Sequence, residues 1–121
     1  MRSGFRNLAE IEAERAPSGK LYREFLRVPA MSAGLYVLPA GRTDPQKPHH
    51  EDELYYVVRG RARMRVGSKE QTVGGQAPEE QSEDQAVRAG SVIFVTAGVE
   101  HRFYDITEEL VVLVVFAPAE S

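Results

Sequence analysis

The stretch KPHHEDELYYVVRG, Lys47 to Gly60, sets two adjacent histidines and three acids directly before an aromatic and β-branched run. The second half, from Glu53 to Val58, has the composition of a strand, closed by Arg59-Gly60. The first half could be a solvated turn, or it could hold a metal ion. Alternation bears on the choice, because residues two or four apart on a strand face the same side. If the strand runs back far enough, His49 and Glu53 both point inward. Glu51 could join them, while His50 and Asp52 would point out.

The flanking sequence also reads as strands. RARMRV (Arg61 to Val66) alternates, with Arg61, Arg63 and Arg65 on one face and Ala62, Met64 and Val66 on the other. That pattern predicts a half-buried antiparallel strand with its arginines in water. LYREFLRV and AGLYVL are bounded by Pro29 and Pro39, and the turn TAGVE separates SVIFV from HRFYDI. LVVLVVF, Leu110 to Phe116, is apolar on both faces. It is expected to lie between the barrel core and either a helix or a second subunit. Short strands at such regular spacing predict an all-β barrel or sandwich.

One short helix is predicted over residues 7–15. Asn7 can cap it and Glu10 completes a capping-box-like pair, with Pro17, Ser18 and Gly19 ending it. Its thin apolar stripe, Leu8 and Ile11, implies packing on a larger body. The expected organisation is therefore an N-terminal helical segment over 1–20 and a single barrel domain over 21–121. The Gly-, Gln- and acid-rich segment at about 74–86 is expected to be an exposed loop.

Composition narrows the function classes. A chain of 121 residues can bury a core without metal or disulfide staples. The net charge of −3 argues against a nucleic-acid-binding surface. The absence of cysteine removes disulfides, thiolate ligands and a cysteine nucleophile, and suits a cytoplasmic location. The N-terminus has no apolar run of signal-core length and no run has that of a membrane span, so no membrane association is expected.

A mononuclear site built on His49 and Glu53 needs a ligand from elsewhere. Of the three histidines, the one outside the quoted stretch is His101, which opens HRFYDI after a turn containing Gly98. Two imidazoles and a carboxylate form a set that leaves coordination positions open for substrate or oxygen.

The spacing resembles the cupin superfamily at both of its signature motifs. The first, G(X)5HXH(X)3-4E(X)6G, falls on Gly41, Lys47, His49, Glu53 and Gly60. The second, G(X)5PXG(X)2H(X)3N, falls on Gly90, Thr96, Gly98, His101 and Asp105. The resemblance implies a double-stranded β-helix, or jelly-roll barrel. It selects His49 over His50 and Glu53 over its acidic neighbours. Three positions depart from the pattern. Thr96 and Asp105 are mild changes at positions that shape a turn and a strand. Lys47 stands where the family has its first histidine, and a protonated ammonium has no lone pair to donate.

The resemblance thus implies three metal ligands, His49, Glu53 and His101, with Gln46 or His50 able to fill the gap if the loop rearranges. A degenerate, metal-free barrel is the alternative. The metal would be a divalent ion such as Fe, Mn, Ni, Co or Zn. The leading expectation is a metal-dependent enzyme of oxygenase or isomerase type acting on a small polar molecule. Tyr55 would be its catalytic hydrogen-bond donor, and Lys47 could pair with an anionic substrate group. A non-catalytic cupin that binds a small molecule is the competing expectation. Homodimerisation is expected from the doubly apolar LVVLVVF run and from cupin habit.

Overall fold

In the computed structural model, which describes residues 4–67 and 83–121, the described residues form one helix and six strands. These are α1 (Leu8–Ser18), β1 (Tyr22–Val28), β2 (Met31–Leu38), β3 (Asp52–Val66), β4 (Glu83–Arg88), β5 (Val92–Val95) and β6 (His101–Ala117). The strands pair antiparallel in the order β1-β2-β6-β3-β4, with β5 also on β3. The all-β architecture with one short N-terminal helix is as predicted. No helix among the described residues is long and apolar enough to cross a membrane.

The two longest strands correct the sequence reading. Glu53–Val58 and Arg61–Val66 are halves of β3, and His101–Ile106 and Leu110–Phe116 are halves of β6. Their pairing continues through register shifts between Val57 and Arg63. Gly60 marks a bulge rather than a strand end. Its φ is +101°, and a Cβ there would stand 2.2 Å from the Glu109 carbonyl oxygen. Asp105 holds φ +52°, a left-handed conformation that Asn and Asp tolerate better than most residues. Its place in the second motif therefore has a backbone reason. Bent in this way, β3 pairs with β5 through its first half and with β4 through its second.

Alternation fills the barrel. Leu110, Val112, Val114 and Phe116 join Tyr55, Val57, Met64 and Phe103 in the main core. Val111 faces the other way and packs beneath α1 with Ile11, Leu35 and Val37. Near its start the LVVLVVF run is thus covered by core on one side and helix on the other. Farther along, Leu113 and Val115 are only half-buried.

The helix runs three residues past its expected end. Asn7 Oδ1 accepts the Ala9 amide at 2.9 Å, and Gly19, at φ +71°, closes the C-terminus through its amide to Ala16 O. Pro17 is accommodated within the last turn, where its missing N–H forfeits a single helical bond. The cap, not the proline, ends the helix.

The loop expected at about 74–86 needs a further correction. Residues 83–86 belong to β4, while 74–82 lie outside the described residues. One of the acids that suggested a loop, Asp84, is a cross-strand partner of the β3 arginines. Asp84 sits opposite Arg65 in register. Its carboxylate lies 3.2 Å from Arg63 and accepts the Tyr104 hydroxyl at 2.6 Å. Arg61 and Arg65 are exposed as expected, but Arg63 is half-buried.

The Tyr104 hydrogen bond, followed by Arg63 and Arg65, holds the Asp84 carboxyl below its ordinary value. A depressed acid stabilises the fold above its unfolded pKa, and that contribution disappears as pH falls through the folded value. Asp84→Asn should therefore cost about 0.2–1 kcal/mol at neutral pH, as for an exposed ion pair. The difference should vanish under strongly acidic conditions. Urea denaturation of both proteins at the two pH values checks this. A difference of the same size at acid pH would contradict it.

Candidate metal centre

The site forms where the start of β3 meets the start of β6. His101, the first residue of β6, lies opposite Val66 at the far end of β3 in register, and the bend in the strands carries it back toward Glu53. β3 begins at Asp52, so the strand does not extend to His49, as the alternation argument had supposed. His49 is placed instead by the loop, whose backbone is tied to the turn before His101. Gly98 N donates to His49 O at 2.7 Å, and Ala97 N donates to Asp52 Oδ1 at 2.8 Å. Asp52 thus points away from the barrel, as expected, and joins the two motif segments.

One oxygen, Glu53 Oε1, is the focus of the arrangement. It lies 2.6 Å from His49 Nδ1 and 3.2 Å from His101 Nε2. Glu53 is 1% exposed and His101 5% exposed. One ligand atom from each of His49, Glu53 and His101 can be chosen so that all three lie within 4.8 Å of one another. The structure therefore brings together the three residues predicted as ligands.

The ring nitrogens fit a metal. His101 Nδ1 stands 2.9 Å from the Val99 carbonyl oxygen, an acceptor, which places the imidazole proton on Nδ1 and leaves a lone pair on Nε2. That Nε2 is buried and has no hydrogen-bond partner, and the same is true of His49 Nδ1. Their close approaches to Glu53 lack hydrogen-bond geometry. Two orphaned imidazole nitrogens and a carboxylate oxygen thus converge on one point, and a divalent cation there would satisfy all three.

The remaining candidates are placed differently. His50 and Lys47 are exposed. Lys47 borders a rim cavity of about 310 Å³ shared with Arg65, Arg102 and His101. Gln46 is half-buried beside the site, but its side chain is engaged. Its Nε2 donates to Asp44 Oδ2 at 2.8 Å, and its Oε1 accepts from the Tyr55 hydroxyl at 2.8 Å. Tyr55 is fully buried, and its single hydroxyl proton is shared between Gln46 Oε1 and Glu53 Oε2. Burial, reinforced by the Glu53 charge, raises the Tyr55 hydroxyl well above its ordinary pKa, so it stays protonated. Glu51 is buried, but its Oε2 accepts from Ser121 N at 3.1 Å and it lies outside the triad.

Two residues escaped the sequence reading. Asp44 is 1% exposed and accepts four donors. These are Tyr36 Oη and Gln46 N on Oδ1, and Gln46 Nε2 and Phe103 N on Oδ2. It lies in the proline-flanked loop GRTDPQKP, where a single acid carries no periodic signal. Glu120 lies beyond β6, and its Oε2 is 3.1 Å from His49 Nε2. Nothing in its local sequence points to the site.

Comparison with known proteins agrees with this architecture. The cupin family model matches residues 30–121, and the chain belongs to that family. A relative from Streptomyces coelicolor, the uncharacterized protein SCO3923, is 50% identical over 114 residues, covering 94% of this chain and 95% of its own. Among solved structures, BH2720 from Bacillus halodurans superposes with a TM-score of 0.73 at 18% identity, over 97% of this chain and 82% of its own. TT1209 from Thermus thermophilus gives 0.70 at 23% identity, over 95% and 97%. At these identities the structural likeness establishes the fold, a cupin double-stranded β-helix.

Asp44 offers a test of how the site is held. An amide in its place would set an NH2 against either the Gln46 amide or the Phe103 amide, leaving at least one backbone N–H unpaired. Asp44→Asn should therefore destabilise the protein by about 1–3 kcal/mol in urea or guanidinium titrations. A loss below about 0.5 kcal/mol, the scatter of ordinary surface changes, would mean that the four donors find other acceptors.

Proposed function

We propose that this cupin holds one divalent metal ion on His49, Glu53 and His101 and acts as a metal-dependent enzyme on a small polar molecule, of oxygenase or isomerase type. The observation that carries the reading is the convergence of two buried, partnerless imidazole nitrogens on the Glu53 carboxylate. When bound, the ion would supply Lewis-acid polarisation of a chelating substrate oxygen or a redox-capable centre for oxygen chemistry.

The chain's own residues do the rest. Val99 O fixes the His101 tautomer. Tyr55 and Gln46 hold Glu53 in line, Tyr55 by donating to its Oε2. Tyr55 reaches a bound substrate only by releasing Glu53 or Gln46. Its predicted catalytic donation therefore requires the network to shift on binding. Phe116, whose ring centroid is 4.9 Å from that of His49, packs against that ring.

Lys47 favours a second reading. It stands in the first-histidine position and points into solvent, which suits a barrel that binds a small molecule without catalysis. Metal content separates the two. Protein purified without added metal should carry close to stoichiometric ion by elemental analysis, and His101→Ala should lose most of it. Sub-stoichiometric metal that His101→Ala leaves unchanged would sink the enzyme reading.

We also propose that a second copy of the chain covers the outer face of the β5–β3–β6 sheet. Leu54 pairs with Phe94 and Val115, and Tyr56 pairs with Val92 and Leu113. Leu54, Tyr56, Val92 and Phe94 are 43–64% exposed. The two apolar rows continue onto Ala33 and Leu35 of β2, where Leu35 is covered by α1. They carry no charge to oppose their own symmetry mate, which suits an isologous contact. Light scattering at micromolar concentration should give a dimer mass, and Phe94→Glu should shift it to the monomer. A monomeric wild type would refute the proposal.

A further inference from the structure

The inner face of the barrel has a gap beside His49, and a glycine opens it. Gly34 of β2 lies opposite Val114 of β6, which lies opposite Tyr55 of β3. Residues two apart on a strand share a face, so position 34 points the same way as the core residue Tyr36. A Cβ on Gly34 would collide with Tyr22 Cζ and Oη. Tyr22, the first residue of β1, pairs with Tyr36 in register. Its ring leans diagonally across that pair into the space a side chain at position 34 would take. There it meets the rings of Tyr36 and Phe116 edge-on, each with its centroid 6.3 Å away.

The end of the Tyr22 ring is polar and has nothing to bond. Tyr22 Oη is buried and has no hydrogen-bond partner among the described residues. A buried hydroxyl left unpaired costs stability, so its presence calls for a reason. Burial, then the charges of Glu120 and Glu24, raise this hydroxyl above its ordinary pKa, so it keeps its proton. The other two phenols near the centre are engaged. Tyr36 donates to Asp44, and the Tyr55 proton is shared between Gln46 and Glu53.

Tyr22 lines a cavity of about 120 Å³ with His49, Val114, Phe116 and Glu120. Glu120 is held at this wall by its own amide, which donates to Ser32 Oγ at 2.9 Å. No lysine or arginine lines the cavity among the described residues, so nothing on these walls would balance the charge of an anionic group. Lys47, expected to pair with such a group, borders the separate rim cavity instead. The walls offer an unused donor at Tyr22, acceptor oxygens at Glu120 and apolar faces at Val114 and Phe116. A small uncharged molecule carrying both a carbonyl and a hydroxyl matches that set.

We propose that Tyr22 is a substrate-binding residue that donates its hydroxyl to the carbonyl oxygen of a small, uncharged hydroxy-carbonyl compound, and that position 34 is glycine to leave it room. Tyr22 has this role only if the barrel takes a small polar molecule, as read above, but no metal is needed to observe it.

The test uses the full chain, metal-free and with Zn2+ added. The probes are 1,3-dihydroxyacetone, which is uncharged, and pyruvate, an anion with the same number of heavy atoms. Amide nitrogen-15 shifts report binding. Metal-free wild type should bind dihydroxyacetone more tightly than pyruvate, with shifts at Gly34 and Val114. In both forms Tyr22→Phe should bind dihydroxyacetone about 3- to 10-fold more weakly, the worth of one neutral hydrogen bond. Gly34→Ala should weaken binding as well, by displacing the phenol without removing it. In urea, ligand-free Tyr22→Phe should unfold at or above the wild-type midpoint, because it no longer buries an unpaired hydroxyl. Undiminished binding by Tyr22→Phe overturns the role of Tyr22 and leaves the barrel a small-molecule site. A lower urea midpoint assigns the hydroxyl to the fold and overturns it too. Tighter binding of pyruvate to the metal-free protein, or no binding of either compound, overturns the proposed ligand class. A Tyr22-dependent affinity that Zn2+ leaves unchanged upholds the role of Tyr22 and counts against the metal reading instead.

Discussion

A carboxylate in the interior of a β-barrel is the constraint on which the rest of this site depends. Glu53 is 1% exposed on a strand whose inward neighbours are Tyr55 and Val57. An ionised carboxyl in such a place is tolerated only if its oxygens are well partnered. Oε2 is met by the Tyr55 hydroxyl, while Oε1 is met only by the two imidazoles. Tyr55 lies two residues along the same strand, and His49 is pressed against Glu53 by its backbone bond to Gly98. The strand thus supplies the donor to Oε2, while the loop and the TAGVE turn set two imidazole nitrogens beside Oε1 without hydrogen-bonding it.

Tyr55, the donor to Glu53, is itself partnered, so these polar groups form a connected chain. It runs from Tyr36 through Asp44 and Gln46 to Tyr55 and Glu53. A continuous network in low dielectric is rigid when satisfied and costly when cut. Burial, aided by the bond to Asp44, raises the Tyr36 hydroxyl above its ordinary pKa, as burial and Glu53 do for Tyr55. Both phenols therefore remain donors, which is the role each carboxylate needs them to fill.

Much of this was readable before any coordinates, for identifiable reasons. The resemblance of the two glycine-bounded motifs selected His49, Glu53 and His101, and alternation assigned Asp52 to the outside, although β3 begins too late for alternation to place His49. The same punctuation misled where a glycine served a bulge. Gly60 sits in the middle of β3 because the backbone of Glu109 leaves no room for a Cβ. β4 was hidden because its acids resemble a solvated loop until Asp84 is set opposite Arg65 and beside Arg63. Asp44 and Glu120 were illegible for a different reason. Their importance lies in partners 59 residues away in sequence for Asp44 and Phe103, and 71 positions away (120 − 49) for Glu120 and His49. Local pattern carries no trace of either pairing.

Asp44 also bears on the departure at Lys47. The loop from Gly41 to His50 is held by protein groups at several points. Gly41 N bonds Ile106 O, Asp44 bridges β2 and β6, and His49 O takes the Gly98 amide. None of these contacts involves an ion. A loop fixed by such bonds keeps His49 aimed at Glu53 without needing a fourth ligand to pull it into place. That distinguishes the site from small metal domains, in which binding energy is folding energy. Lys47 in the first-histidine position then removes one candidate ligand but leaves intact the backbone that presents His49, Glu53 and His101. The barrel organises the donor set in advance, and an ion entering it would find the geometry already made.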